Sequence, residues 1–81
     1  MPFFVYILKC KDDTLYIGST NDLERRIHQH NNLKSGAHYT KIRRPVELVY
    51  SKKVRTLSLA RKKEHSLKQL TRQEKLALIN S

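Results

Sequence analysis

Leu15-Tyr16-Ile17-Gly18-Ser19 runs on into Thr20-Asn21-Asp22-Leu23-Glu24-Arg25-Arg26-Ile27-His28-Gln29-His30, and the fold turns on that junction. The opening residues are apolar, aromatic and β-branched and stop at a glycine, which is strand composition. A helix start follows. Asn21 is the expected N-cap, with Glu24 three residues later in capping-box position. Asp22 and Glu24 also suit the positive end of a helix dipole. The helix is expected to run to about His30, with Asn31-Asn32 ending it.

Upstream, Phe3 to Lys9 is a continuous β-branched and aromatic run, the pattern of a strand buried on both faces. Lys11-Asp12-Asp13-Thr14 is turn material, so the two strands form a β-hairpin. Downstream, residues 32–44 contain Gly36 and several polar groups and read as a loop. Pro45 to Ser51 reads as a third strand, with proline tolerated at its first position. A second helix starts near Thr56 or Ser58 and runs to about Leu70. Thr71-Arg72-Gln73-Glu74 is a second capping box and opens a last helix ending near Ile79. The order is β-β-α-β-α-α. It predicts an α+β fold, a three-stranded antiparallel sheet flanked by helices, with residues 1–81 forming one domain.

Composition agrees. Leu, Ile, Val and Phe make up 22 of 81 residues, enough for a small core in a charged chain. No apolar run approaches the 18 or so residues of a membrane span. The first ten residues have no basic lead and no small-residue cleavage site, so they do not read as a signal peptide. A cytoplasmic protein is expected. The single cysteine, Cys10, excludes an internal disulfide framework and clusters of several thiolates.

Charge narrows the partner. The chain carries 17 Lys and Arg against 7 Asp and Glu, a formal +10. Residues 1–40 hold five basic and four acidic side chains, residues 41–81 twelve and three. Such an excess attracts polyanions, because each cation near a phosphate releases a condensed counterion. Nucleic acid leads over an anionic membrane, since the basic stretches lack a wide aromatic or leucine face. The competing reading is a solvated basic surface that serves solubility alone.

Two helical stripes carry polar residues where apolar ones belong. In the first helix Leu23, Arg26, Ile27 and His30 share an arc of roughly 100°. A guanidinium and an imidazole beside a core stripe must either find partners or snorkel at its rim. In the second, Leu57, Ala60, Glu64 and Leu67 share a face within about 80°. Glu64 is the only acid of that helix. It is either paired with Arg26 or a nearby lysine, or it is a divalent-metal ligand, since Mg²⁺ is often held by one or two carboxylates plus phosphate and water. Tyr6 and Tyr16 lie in the hairpin, flanked by apolar residues, where a tyrosine is commonly core with its hydroxyl at an edge.

Phe4-Val5-Tyr6, then Tyr16-Ile17-Gly18, then Arg26 eight residues past Gly18, then a helical Glu64, together resemble the GIY-YIG nuclease domain. The resemblance covers essentially the whole chain and is nearest to small stand-alone bacterial members. It implies a phosphodiesterase that uses one divalent metal, Mg²⁺ or Mn²⁺, on DNA. Position by position it implies Tyr6 and Tyr16 as the paired tyrosines, Arg26 as the phosphate-binding arginine, His30 as the assisting histidine and Glu64 as the metal ligand. Arg26 is preferred to Arg25 because only Arg26 shares the arc of Leu23 and Ile27. Gly18 is expected to let the backbone turn tightly into the first helix. Either tyrosine can take the proton from water, Arg26 would grip the phosphate, and His30 would orient or donate.

Two departures stand out. Phe4 occupies the place of the glycine in the family's first motif. The asparagine that many larger members carry after the glutamate has no counterpart except Asn80, in the tail. Lys41, Arg43 and Arg44, with Arg61, Lys62, Lys63 and Lys68, are expected to contact backbone phosphates without reading bases. With no second domain expected, cutting should follow DNA structure rather than sequence, by a monomer. The alternative is a nucleic-acid-binding protein that keeps the fold and cuts little or nothing. A shared site also demands that Tyr6 and Tyr16 leave one face of the sheet. Cross-strand partners in the hairpin must then sum to an even number, which needs an odd loop or a bulge.

Overall fold

The computed structural model describes residues 2–32 and 43–80. Strands β1 (Phe3–Cys10), β2 (Leu15–Thr20) and β3 (Val46–Val54) form one antiparallel sheet in the order β2-β1-β3. Helices α1 (Leu23–Asn32), α2 (Leu57–Gln69) and α3 (Arg72–Ile79) complete the expected order. β1 is central, which is why its run is apolar on both faces. None of the helices described is long and apolar enough to cross a membrane.

The hairpin pairs Tyr6 with Gly18 and Leu8 with Tyr16, both even sums. The turn is a three-residue loop over residues 11–13. Asp13 N–H donates to the Cys10 carbonyl at 2.9 Å, and Asp13 adopts the left-handed region at φ 67°. This is the three-residue hairpin loop whose last residue takes the left-handed conformation. Asp12 Oδ1 accepts from the Thr14 amide at 3.2 Å and from the Thr14 hydroxyl at 2.6 Å. Tyr6 and Tyr16 therefore leave the same face.

The sheet carries a core on each side. On one face Val5, Ile7 and Ile17 pack with Ala60 and Leu67 of α2 and with Leu78 and Ile79 of α3. On the other, Tyr6, Leu8, Cys10 and Val46 pack with Tyr16 and with Leu23 and Ile27 of α1. Between β1 and β3 the register slips between Ile7 and Leu8, from Ile7 opposite Tyr50 to Leu8 opposite Leu48. The extra residue, Val49, lets the far end of β3 change face without breaking the ladder.

Several boundaries differ from expectation. The N-cap of α1 is Asp22. The Arg25 amide donates to Asp22 Oδ1 at 3.2 Å, while the Arg26 amide reaches the Asp22 carbonyl at 3.0 Å. Thr20 Oγ1 accepts from the Asp22 amide at 3.1 Å and fixes the chain one residue past Asn21. Glu24 then stands at the second helical position and cannot close a capping box. Asn31 and Asn32 continue α1 instead of ending it. Asn31 Nδ2 donates to the Val46 carbonyl at 3.1 Å and its Oδ1 accepts from the Val46 amide at 2.7 Å, stapling α1 to the start of β3. β3 extends past Ser51 to Val54, its two lysines being surface residues of an outer strand, where lysine commonly guards the edge. Thr56 caps α2, accepting from the Leu59 amide at 3.1 Å. The Thr71–Glu74 capping box is present as expected. Leu57 leaves the apolar stripe of α2 and is 41 % exposed.

Candidate active site

Tyr6, Tyr16 and His30 meet on the α1 face of the sheet. Strand alternation brings the two tyrosines to that face, and α1 lowers His30 onto them three residues after Ile27, one helical turn along the same stripe. Tyr6 Oη and His30 Nε2 lie 2.9 Å apart. The rings of Tyr6 and Tyr16 stand edge-on to the imidazole, with centroids at 5.9 and 5.2 Å. His30 is fully buried rather than snorkelling.

Gly18 makes this possible in a way different from the expected turn. It lies inside β2, not at its exit, and its φ is negative. A Cβ there would lie 2.5 Å from Tyr6 Oη and 3.2 Å from Tyr16 Cε2. The glycine thus supplies the space in which the Tyr6 phenol crosses β2, a close-approach role rather than a turning one.

Burial sets the charge state of the pair. It pushes Tyr6 up to about 12, with Tyr16 and Glu64 adding to the rise and Arg26 opposing it. It pushes His30 down to about 4, helped by the positive charges of Arg26 and Arg44. At neutral pH both are uncharged and share one hydrogen bond, whose direction follows the imidazole tautomer.

Arg26 is half-buried, whereas Arg25 is exposed. Its Nη1 donates to Gln29 Oε1, a neutral acceptor, at 2.9 Å. Glu64 reaches the site from the opposite side of the sheet. α2 lies on the Val5–Ile7 face, and Glu64 Oε2 accepts from Ser19 Oγ at 3.4 Å, beside Gly18 on the outer strand β2. Lys68 Nζ lies 3.5 Å from Glu64 Oε1. The cation on Glu64 is therefore a lysine one turn away, not Arg26.

Among the described residues no three His, Cys, Asp or Glu side chains cluster to hold a metal by themselves. Glu64 nevertheless fits a divalent ion. It is a single carboxylate with 22 % of its side chain exposed, and its partners are a long hydroxyl bond and a lysine that is itself 56 % exposed and free to swing away. One carboxylate, with water and phosphate completing the shell, is a common Mg²⁺ arrangement.

The expected phosphate contacts divide. Arg61 and Lys62 are exposed and line a shallow groove with Leu57, Ser58, His65 and Ser66 on the outer side of α2. Lys63 is half-buried, and Lys68 sits on Glu64. Arg43 Nε lies 3.0 Å from Asp12 Oδ2. Arg44 donates to the His30 carbonyl and, at 3.2 Å, to the Gln29 carbonyl, satisfying the free C-terminal carbonyls of α1. Arg43 and Arg44 thus serve the fold's own contacts. Lys41 lies outside the described residues. Gln29, Ser19 and Asn31 were given no site role in the sequence reading. Only Gln29 left a trace there, as the i+3 neighbour of Arg26.

A profile of the GIY-YIG catalytic domain matches residues 2–77. A UPF0213 protein of Staphylococcus saprophyticus is 53 % identical over 77 residues, covering 95 % of this chain and 93 % of its own. A UPF0213 protein of Clostridium perfringens is 53 % identical over 78 residues, covering 96 % and 83 %. Among solved structures, the solution structure of a UPF0213 protein from Bacillus halodurans superposes with a TM-score of 0.63 at 39 % identity, covering 99 % of this chain and 84 % of that one. A protein from E. faecalis superposes at 0.64 with 38 % identity, covering 96 % and 83 %.

Proposed function

The chain belongs to the GIY-YIG nuclease-domain family, and from that membership we propose that it is a metal-dependent phosphodiesterase that cuts DNA by structure rather than sequence. The observation that carries this reading is the buried Tyr6–His30 hydrogen bond at 2.9 Å, with Arg26 alongside. A phosphodiester needs an activated water, neutralised non-bridging oxygens and help for the leaving oxygen. Arg26 grips the phosphate in its fork of donors. Tyr6, held neutral, cannot wait as a phenolate. It takes the water proton on Oη as its own proton passes to His30 Nε2. A phosphate seated on Arg26 offsets one of the positive charges that reinforce burial in keeping the imidazole neutral, so His30 becomes a better acceptor when substrate is bound. Tyr16 packs on the imidazole and fixes its plane. Glu64 would hold a divalent ion, Mg²⁺ or Mn²⁺, which would supply Lewis-acid stabilisation of the leaving oxygen. On this reading the protein works in the cytoplasm as a single domain and a monomer.

The Lys68–Glu64 contact favours a second reading, a nucleic-acid-binding protein that does not cut, because a cation already sits on the carboxylate. Incubation with single-stranded, duplex and branched DNA in Mg²⁺ decides between them. Cleavage is expected for wild type, and is expected to vanish in Glu64→Ala and to drop about 10²-fold or more in Tyr6→Phe, as loss of a general base does. Wild type that binds every substrate and cuts none would leave the binding reading standing.

A further inference from the structure

Phe4 occupies the place where the family's first motif has glycine, and the sheet register gives it a use. Even-numbered residues of β1 share a face, so Phe4 stands on the same face as Tyr6, roughly 7 Å further along the strand. Its neighbours across the sheet are Thr20 on β2 and Lys53 on β3. Phe4 is half-buried and joins neither core cluster. The core on that face is built from Tyr6, Leu8, Cys10 and Val46 with Tyr16, Leu23 and Ile27, and Phe4 stands outside it. Lys53 is exposed and makes no ion pair among the described residues, and Arg55 just past the strand is exposed as well.

We propose that Phe4, flanked by Lys53, is a stacking platform for an unpaired nucleobase next to the phosphate held at Tyr6 and Arg26. The inference rests on the nuclease reading above for where the phosphate sits. An aromatic ring on a sheet face beside a lysine is the usual device for holding single-stranded nucleic acid, because every base offers a π-face and each phosphate needs a cation. The spacing along the strand matches about one nucleotide step of an extended single strand. The platform makes the protein prefer DNA with at least one unpaired base beside the cut, such as an overhang, flap or loop, since a paired base cannot leave its own stack without cost.

The chain contains no tryptophan, so Phe4→Trp introduces a single reporter. In EDTA and at low salt, oligothymidylate should quench its fluorescence, with the same midpoint as binding followed by anisotropy. Phe4→Leu keeps the apolar volume, and a thermal melt checks its fold. It should weaken oligothymidylate binding about tenfold or more while leaving the affinity for an abasic deoxyribose-phosphate oligomer of equal length within about twofold. Lys53→Ala should weaken both. Saturable binding without quenching, or a Phe4→Leu effect equal on both oligomers, would overturn the platform. No binding at all would overturn the platform together with the nuclease reading. Binding by wild type and quenching in Phe4→Trp, with no cutting by wild type in Mg²⁺, would sink the nuclease reading alone and support the platform.

Discussion

Burial holds Tyr6 and His30 neutral, and that neutrality has a measurable consequence. His30 falls from an ordinary value of 6.5 to about 4 in the folded protein, chiefly through burial. Between those values the unfolded chain binds the proton and the folded chain does not, so stability rises with pH across that window. The contribution is fully present above about 6.5 and is lost as pH falls towards 4, amounting to roughly 3 kcal/mol at most. Tyr6 acts at the other end, losing stability as pH rises from 10 through about 12. Urea midpoints at pH 4.5, 5.5 and 7 are expected to climb in wild type and to flatten in His30→Gln. A wild type equally stable at all three would mean that His30 is not buried as described. That Arg26 rather than Arg25 turns inward was legible from the helical arc alone. The function of Gly18 was not, because it depends on where the phenol of its partner on the adjacent strand crosses the backbone. That crossing is a side-chain fact with no trace in the order of residues.

Elements were legible where one local rule operates unopposed, as in the Thr71–Glu74 capping box. They were misread where two candidates compete. Asn21 and Asp22 are both good caps, and the Thr20 hydroxyl decides for Asp22. Asn31 looked like a helix stop by composition, yet tertiary pairing keeps it helical. Its amide exchanges two hydrogen bonds with the Val46 backbone, and Val46 is 6 % exposed. Asn31→Leu keeps helix propensity and size but strands an N–H and a carbonyl away from water, at roughly 1–3 kcal/mol for each group. For a domain of this size each kcal/mol lowers the melting temperature by about 4–8 °C. A loss of 5 °C or more is expected, with a parallel fall in activity because His30 is the adjacent residue. A melt within 1 °C of wild type would show that the staple contributes nothing.

At the scale of the molecule, the sheet divides the site. Tyr6, Tyr16, Arg26 and His30 stand on one side, and Glu64 arrives from the other around β2. Helical periodicity told which face of each helix turns inward but not which side of the sheet receives it, so the partner of Glu64 could not be read in advance. Charge is divided as well. Asp12, Asp13 and Glu47 gather at the hairpin end, where Glu47 faces Lys9, while Lys52, Lys53 and Arg55 stand at the opposite end, where Lys53 faces Phe4. A polyanion is therefore drawn to one pole and to the outer side of α2. On duplex DNA each phosphate contact adds about 0.9 to the slope of log affinity against log salt. Arg61 and Lys62 are exposed and make no ion pair among the described residues. Arg61→Ala with Lys62→Ala should flatten the slope by up to about 1.8, weaken all sequences alike and leave the melting temperature near wild type. Arg44→Ala should do the reverse, because its guanidinium is spent on the carbonyls of α1: the slope stays and the melting temperature drops. A slope that falls equally in both variants would place Arg44 on the DNA, and affinity indifferent to salt in wild type would show that the basic surface is not the binding surface.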